Sequence, residues 1–208
     1  MAKTTGSIPV GPTKYIKLLA INRLMYFAKL NKKIHIESYN EDSILSSYTV
    51  DGKGVIIYNI SGYNESQILD LIPERYRKDF IIRAIKINRN IPPHTDSYTT
   101  VGINFYMQTS DCKTTFYEPA DPAAGKRLTV QTTGRTFSEK DLQVHGSFVA
   151  ENDDVYILDI TKPHSVISSN PKAVDRIALT LQTERYSYEE VYNMLVETGY
   201  ISELPELV

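Results

Sequence analysis

The chain has 208 residues, with 23 basic and 25 acidic side chains and a formal net charge of -2. This length fits one domain that can bury a hydrophobic core. The near balance of charge argues against a strong nonspecific grip on nucleic acid, which needs a basic surface, but it leaves room for a local basic groove. The single cysteine, Cys112, excludes an intrachain disulfide framework and a cysteine-rich zinc site.

The N-terminal residues do not predict a secretory signal. The first residues lack the continuous apolar run of a secretory signal, and no apolar stretch approaches the length that spans a bilayer. With one cysteine and no such segment, we expect a cytoplasmic protein that has no membrane partner.

The N-terminal part of the chain combines a predicted helix with predicted strands. Apolar residues at roughly helical spacing predict an amphipathic helix over residues 14–30. Residues 32–39 are expected to form a strand. Residues 48–60 are expected to form two short strands around a turn at Asp51 and Gly52.

Two further helices are expected, one before and one after the β-rich part of the chain. A short helix is predicted to follow Asn64 and to end near Pro73. Ser187 and Glu190 form a capping-box pattern at the start of a C-terminal helix, and Gly199 is expected to end it.

From residue 80 the chain is rich in short strands that are separated by turns. The clearest strand lies within residues 98–108, where apolar and small or polar side chains alternate. One side carries Val101, Ile103, Phe105 and Met107, and the other carries Gly102, Asn104, Tyr106 and Gln108. Further strands are expected over residues 80–88, 114–117, 127–132, 147–150, 155–160, 164–168 and 176–182. Short strands at this spacing predict an all-β barrel or a double-sheet jelly roll.

A candidate metal site begins at His94-Thr95-Asp96. A His and an Asp two residues apart can point the same way from an extended segment, and His164 follows Pro163 at the start of a distant predicted strand. Two imidazoles and one carboxylate suit Fe(II), Mn(II) or Zn(II) and leave coordination positions open. The alternative is that the triplet arises by chance, because a lone His more often lies at the surface or hydrogen-bonds in a core.

Arg176 is a candidate for binding a carboxylate. It begins the predicted strand of residues 176–182, on the side that also carries Ala178, Thr180 and Gln182. A planar guanidinium in a barrel mouth could bind a carboxylate through two hydrogen bonds. The alternative is a surface arginine that pairs with Asp175 or Glu184.

The order His94, Asp96, His164, Arg176 resembles the Fe(II)- and 2-oxoglutarate-dependent dioxygenase superfamily. The resemblance covers about residues 80–185, and the stretch around His94 is similar to the aspartyl/asparaginyl hydroxylase branch and more loosely to the prolyl hydroxylases. It implies a mainly β fold, the double-stranded β-helix (a cupin-like jelly roll), with helices packed outside. We therefore expect a single domain, residues 1–208. Its parts would be an N-terminal extension (1–79), the catalytic core (80–185) and a C-terminal helix (186–208).

The resemblance also implies the cofactors and their ligands. His94, Asp96 and His164 would bind iron, and Arg176 would bind the distal carboxylate of the co-substrate 2-oxoglutarate, with dioxygen as the third reactant. The hydroxyl residue that some branches carry two positions after the arginine is Ala178 here. A second anchor for the co-substrate is therefore expected elsewhere, at Asn104 or Tyr106.

Three functions remain open at the level of the sequence. The first is a 2-oxoglutarate-dependent hydroxylase of a protein side chain or a small molecule. The second is a non-catalytic cupin-like binding module, and the third is a nucleic-acid-modifying dioxygenase, which the mild acidity disfavours. A group of basic residues could line an anionic entrance, or could simply face solvent: Arg75, Arg77, Lys78, Arg83, Lys86 and Arg89. The primary substrate is not encoded in any motif.

Overall fold

The computed structural model describes residues 26–50, 53–121, 125–127, 134–168 and 175–202. Within these ranges the protein is built mainly from two antiparallel sheets. The strands of the larger sheet are β1 (Phe27–Lys29), β2 (Asn40–Val50), β3 (Lys53–Ser61), β4 (Ile81–Ile87), β6 (Val101–Gln108), β11 (Val155–Asp159) and β13 (Arg176–Thr183). The strands of the smaller sheet are β5 (Ile91–His94), β7 (Cys112–Pro119), β8 (Lys126–Arg127), β9 (Arg135–Thr136), β10 (Leu142–Val149) and β12 (His164–Ser168).

The order of the strands is that of a double-stranded β-helix. The larger sheet runs β1-β11-β6-β13-β4-β3-β2 and the smaller sheet runs β10-β7-β12-β5-β9-β8. Successive strands β4, β5, β6 and β7 alternate between the two sheets, and β10, β11, β12 and β13 do the same. This winding generates the two packed sheets of a jelly roll. The predicted fold class is therefore confirmed.

Helices cover the outer face of the larger sheet. They are α1 (Glu65–Leu69) and α2 (Tyr188–Glu197), and 3₁₀ turns occupy Glu74–Asp79 and Glu139–Asp141. The main core lies between these helices and the sheet. Its fully buried members include Ile68, Leu71, Ile72, Val101, Ile103, Phe105, Leu179, Leu181, Val191 and Leu195. The alternation predicted for residues 98–108 is confirmed, because the odd-numbered apolar side chains pack outward on the helices.

The predicted start of α1 and both predicted ends of α2 agree with the structure, but α1 ends at Leu69 rather than near Pro73. The Asn64 side chain accepts a hydrogen bond from the backbone N–H of Gln67 at the start of α1. At α2 the Ser187 backbone N–H donates to Glu190 Oε2 at 2.7 Å, and the Glu190 N–H donates back to Ser187 Oγ at 3.3 Å. Gly199 follows α2 with φ of +76°, a left-handed conformation that glycine adopts without steric cost.

Two predictions for the N-terminal part were wrong. The part of the predicted helix 14–30 that is described holds strand β1, because Phe27–Lys29 pairs antiparallel with β11; residues 14–25 lie outside the described ranges. Residues 32–39 form no strand, because the backbone N–H of Ile34 donates to the Asp153 carbonyl rather than to a partner strand.

The predicted hairpin of residues 48–60 is longer than expected. Its strands β2 and β3 extend the larger sheet beyond β4, while the turn at Asp51 and Gly52 lies outside the described residues. Residues 128–132, which belong to the strand predicted over residues 127–132, also lie outside the described residues. No helix among the described residues combines the length and apolar character needed to cross a membrane.

Candidate metal centre

His94 and His164 meet because their strands are neighbours in the smaller sheet. His94 ends β5, His164 begins β12, and the two residues are paired opposite each other in the antiparallel register. Their ring centroids lie 4.4 Å apart. The ring of Phe116, from the next strand β7, packs at 5.4 Å on the other side of His164. The β-sheet register therefore places both imidazoles side by side at one end of the barrel.

Asp96 completes the cluster from the segment that follows β5. Its Oδ1 lies 3.3 Å from His94 Nε2 and 3.8 Å from His164 Nε2. The three candidate ligand atoms all lie within 4.8 Å of one another. A metal ion held about 2.1 Å from each atom would draw them only slightly closer. Among the described residues this is the one group of His, Cys, Asp or Glu with such convergence.

Both imidazoles are oriented by hydrogen bonds to the backbone. His94 Nδ1 lies 2.9 Å from the Pro92 carbonyl, and His164 Nδ1 lies 3.0 Å from the Lys162 carbonyl. A carbonyl only accepts, so each Nδ1 carries the proton and donates it. Each Nε2 faces Asp96 and, in the neutral imidazole, carries the lone pair that binds a metal.

The electrostatics of the cluster suit metal binding. Burial and the neighbouring His94 lower the pKa of His164 to about 4. Burial acts to raise the pKa of Asp96, but the two imidazoles outweigh it and hold that pKa below its usual value. Burial lowers and the Asp96 carboxylate raises the pKa of His94, and the carboxylate prevails. At neutral pH Asp96 is therefore ionised and His164 is neutral, as metal ligation requires, whereas a metal bound to His94 must displace the proton that the raised pKa favours.

Thr95 holds the segment between two of the candidate ligands in place. Its backbone N–H donates to the Arg135 carbonyl at 2.9 Å, and its Oγ1 accepts from the Arg135 N–H at 3.0 Å. The Asp96 N–H donates to the Ile160 carbonyl at 3.1 Å. These bonds fix the backbone on both sides of the carboxylate. The role of Arg135 could not be predicted from the sequence, because its backbone makes both contacts.

A cavity of about 520 Å³ opens from the cluster into the barrel. From β13 it is lined by Arg176, Ala178, Thr180 and Gln182, the side of the strand that the sequence predicted. From β6 it is lined by Gly102 and Asn104. Thr114 also lines the cavity, from β7. No sequence motif includes this threonine, so its place in the cavity is known only from the folded structure.

Arg176 is buried rather than exposed. The residue is 4% exposed, and its Nη2 donates to the Tyr106 hydroxyl at 2.7 Å. Its guanidinium lies 4.7 Å from the centre of the Tyr106 ring. The surface alternative is wrong, because Asp175 pairs with Lys86 at 2.9 Å and Arg176 faces the cavity instead.

Three buried polar atoms on this cavity have no hydrogen-bond partner among the residues that the structure describes. They are Arg176 Nη1, Thr114 Oγ1 and Thr180 Oγ1. Leaving a buried donor unpaired costs about 1–3 kcal/mol, and more for a charged group. Orphaned groups of this kind on one cavity indicate a polar or anionic ligand that satisfies them.

The two other candidate anchors occupy different positions. Asn104 lines the cavity, and its Nδ2 donates weakly to the Tyr106 hydroxyl at 3.5 Å. Tyr106 is 1% exposed and contacts Arg176 without lining the cavity. The six basic residues of the possible anionic entrance do not line this cavity. Three of them are paired, Arg75 with Glu197, Arg77 with Asp70, and Lys86 with Asp175.

Comparisons with known proteins find only distant similarity. No family model matches the chain, and no curated protein matches it. Among solved structures, the non-heme alpha-ketoglutarate-dependent epimerase SnoN from nogalamycin biosynthesis is 10% identical, with 83% of each chain covered and a TM-score of 0.41. An RmlC-like cupin from Ralstonia eutropha is 13% identical, with 66% of this chain and 60% of that chain covered and a TM-score of 0.34.

Vicilin from hazelnut, Corylus avellana, is 13% identical over 66% of this chain, with a TM-score of 0.37. The chain spans only 30% of that vicilin chain and 60% of the cupin chain. The strand order, rather than these distant likenesses, establishes the double-stranded β-helix.

Proposed function

We propose that the protein is a non-haem Fe(II) oxygenase that uses 2-oxoglutarate as its co-substrate and hydroxylates a small molecule or a protein side chain. His94, Asp96 and His164 would hold the metal. Fe(II) in this position supplies the oxidative decarboxylation of 2-oxoglutarate by dioxygen to succinate and carbon dioxide, coupled to hydroxylation of the substrate. The remaining steps belong to residues of this chain.

The observation that carries the proposal is the buried guanidinium of Arg176, with its unpaired Nη1, in the same cavity as the His-Asp-His cluster. A cluster of three ligand atoms alone would fit many metalloproteins. A buried cation that lacks an anionic partner adds the need for a carboxylate, and 2-oxoglutarate has a carboxylate at each end. One end can lie at the metal while the other satisfies Arg176.

The neighbours of Arg176 would fix the co-substrate in one orientation. The Tyr106 hydroxyl holds one arm of the guanidinium, so that the other arm remains directed to the ligand. The hydroxyls of Thr114 and Thr180 can donate to the same carboxylate, and Asn104 can contribute its amide. We assign Tyr106 as the residue that positions Arg176 and Asn104 as a candidate direct contact.

The backbone around the cluster would keep the metal ligands ready for binding. The carbonyls of Pro92 and Lys162 hold the two imidazoles in the tautomer that presents Nε2. Side chains such as Leu158 and Ile160 line the same cavity and exclude water from it. A dry site strengthens the attraction between Arg176 and a carboxylate, because the effective dielectric constant falls.

Calorimetric titration of 2-oxoglutarate into Zn(II)-loaded protein tests the proposal without turnover. Binding is expected to require the metal, and Arg176→Gln is expected to weaken it about 100-fold, since two charged hydrogen bonds are lost. Arg185→Gln is the matched control, because Arg185 lies at the surface and pairs with Asp79. Equal affinity in Arg176→Gln, or equal affinity without metal, would contradict the proposal. Tight binding without succinate formation in the presence of Fe(II) would instead favour a binding module.

A further inference from the structure

The cavity continues past Arg176 onto a largely aliphatic surface, which Ser46 of β2 borders. Five side chains form this aliphatic floor: Leu45 from β2, Val55 and Ile57 from β3, and Ile85 and Ile87 from β4. All five are partly or largely exposed, in contrast to the buried side chains of the outer core. Apolar side chains that remain accessible inside a cavity indicate a ligand that covers them.

The register of the larger sheet makes the floor continuous with the proposed co-substrate site. Ile87 is paired with Arg176 on one side and with Val55 on the other. In the next row, Ile85 is paired with Ala178 and with Ile57. Two parallel rows of side chains therefore run from the strand of Arg176 across β4 and β3. A ligand that lies beside the co-substrate would rest directly on these rows.

The outer end of the floor is formed by a β-bulge. Ile44 pairs with Tyr58 and Ser46 pairs with Ile57, so Leu45 is the extra residue between them. Leu45 lines the cavity although it lies in the edge strand, and it is 53% exposed. A bulge redirects a side chain relative to the regular pleat, and here the redirected side chain is a large aliphatic one.

The cavity offers no charge for a second ligand. Asp96 and Arg176 carry the only formal charges among the described residues that line it, and both are used by the proposed metal and co-substrate. The floor crosses two strand spacings, from β4 to β2, which is roughly 10 Å. This length exceeds the side chain of any single aliphatic amino acid and fits an extended hydrocarbon chain or ring system.

We propose that the primary substrate is a small molecule with an uncharged aliphatic portion, which lies on the floor of Leu45, Val55, Ile57, Ile85 and Ile87. This inference rests on the proposed function, because it assigns Arg176 to the co-substrate. The floor favours a small molecule over a protein side chain, because its length exceeds that of any single aliphatic side chain. It also disfavours nucleic acid, because the phosphates would find no cation in this part of the cavity.

Straight-chain alcohols serve as the probe, titrated calorimetrically into protein loaded with Zn(II) and 2-oxoglutarate. Affinity is expected to rise about fourfold for each methylene group from 1-butanol to 1-octanol, as apolar surface is buried. The cationic 8-amino-1-octanol and the anionic 8-hydroxyoctanoate are expected to bind at least tenfold more weakly than 1-octanol. Equal or tighter binding of either charged compound would overturn the inference.

A pair of substitutions in β3 tests the location. Ile57→Thr keeps the β-branched shape but places a hydroxyl on the floor, so 1-octanol is expected to bind about tenfold more weakly. Ile56→Thr makes the same change one residue earlier, on the opposite face of the strand, and is expected to leave the affinity unchanged. Equal effects of the two substitutions would overturn the location.

A capped tripeptide, acetyl-Ala-Leu-Ala-amide, separates a peptide substrate from a small molecule. Tighter binding of this peptide than of 1-octanol would overturn the small-molecule assignment. The 2-oxoglutarate titration is run first, so the two proposals fail separately. If 2-oxoglutarate does not bind, the proposed function fails. If it binds while the alcohols do not, only the aliphatic floor fails as a substrate site.

Discussion

His94 and His164 stand opposite each other on antiparallel strands, and Asp96 Oδ1 lies within 3.8 Å of the Nε2 atom of both. The cluster is therefore built by strand pairing, and a metal ion would cross-link β5, β12 and the segment after β5. Metal binding and the stability of this end of the barrel should be coupled.

Asp96→Ala is expected to abolish metal binding and turnover, because two neutral imidazoles alone hold a divalent ion weakly. The measurement is the metal content after equilibration with Fe(II) under anaerobic conditions, together with 2-oxoglutarate consumption. Asp70→Ala is the control, since Asp70 pairs with Arg77 at the surface. Full 2-oxoglutarate consumption by Asp96→Ala would refute the ligand assignment.

Thr180→Val is expected to have opposite effects on stability and on binding. The Thr180 hydroxyl is buried without a partner, so replacing it with a methyl group should stabilise the ligand-free protein by about 1 kcal/mol. The same change removes a donor from the proposed carboxylate site and should weaken 2-oxoglutarate binding several-fold. Denaturant unfolding and calorimetry measure the two effects. Unchanged affinity would show that the hydroxyl does not reach the ligand.

Tyr106→Phe is expected to weaken 2-oxoglutarate binding about tenfold while metal affinity stays the same. The phenol oxygen accepts from Arg176 Nη2, and one hydrogen bond to a charged group contributes about 1.5 kcal/mol. Tyr192→Phe, on α2 and away from the cavity, provides the comparison. Loss of metal affinity in Tyr106→Phe would mean that the residue supports the fold of the site rather than the orientation of Arg176.

Asp154→Asn is expected to lower the free energy of unfolding by about 1–3 kcal/mol at pH 7. Asp154 is 1% exposed and its Oδ1 lies 2.8 Å from Lys29 Nζ. Burial acts to raise its pKa, but Lys29 and the Glu151 N–H outweigh burial and hold the pKa below its usual value.

The lowered pKa of Asp154 determines how its contribution to the free energy of unfolding changes with pH. A pKa that is lower in the folded state stabilises the fold above the unfolded pKa of about 3.9, and the contribution is lost as the pH falls through the folded value. Urea unfolding of wild type and Asp154→Asn should therefore differ at pH 7 and converge towards pH 3. A constant difference over that range would exclude a role for the ionised carboxylate.

The strands of the barrel could be predicted because their side chains alternate. In β6 the outward Val101, Ile103 and Phe105 and the inward Gly102 and Asn104 follow from the period of two alone. Strand β1 could not be predicted this way, since its three residues owe their conformation to pairing with β11, which is distant in sequence. Tertiary pairing overrides local spacing in such short segments.

The candidate site was predictable to the same extent. His94, Asp96, His164 and Arg176 could be singled out because their order along the chain resembles that of a known family, and the structure brings them to one cavity. Thr114 carries no such signal, because a threonine is ordinary in any strand. Only its unpaired hydroxyl in the folded protein marks it as a candidate contact.

In the proposed site, one cavity joins a metal held by His94, Asp96 and His164 to a carboxylate held by Arg176. Succinate formation from 2-oxoglutarate with Fe(II) and dioxygen tests this arrangement most directly, comparing wild type, Asp96→Ala, Arg176→Gln and the surface control Arg185→Gln. Succinate is expected from wild type and Arg185→Gln, and none above background from the other two. Succinate formation by Asp96→Ala or Arg176→Gln at the wild-type rate, or its absence in wild-type protein that binds both metal and 2-oxoglutarate, would contradict this arrangement.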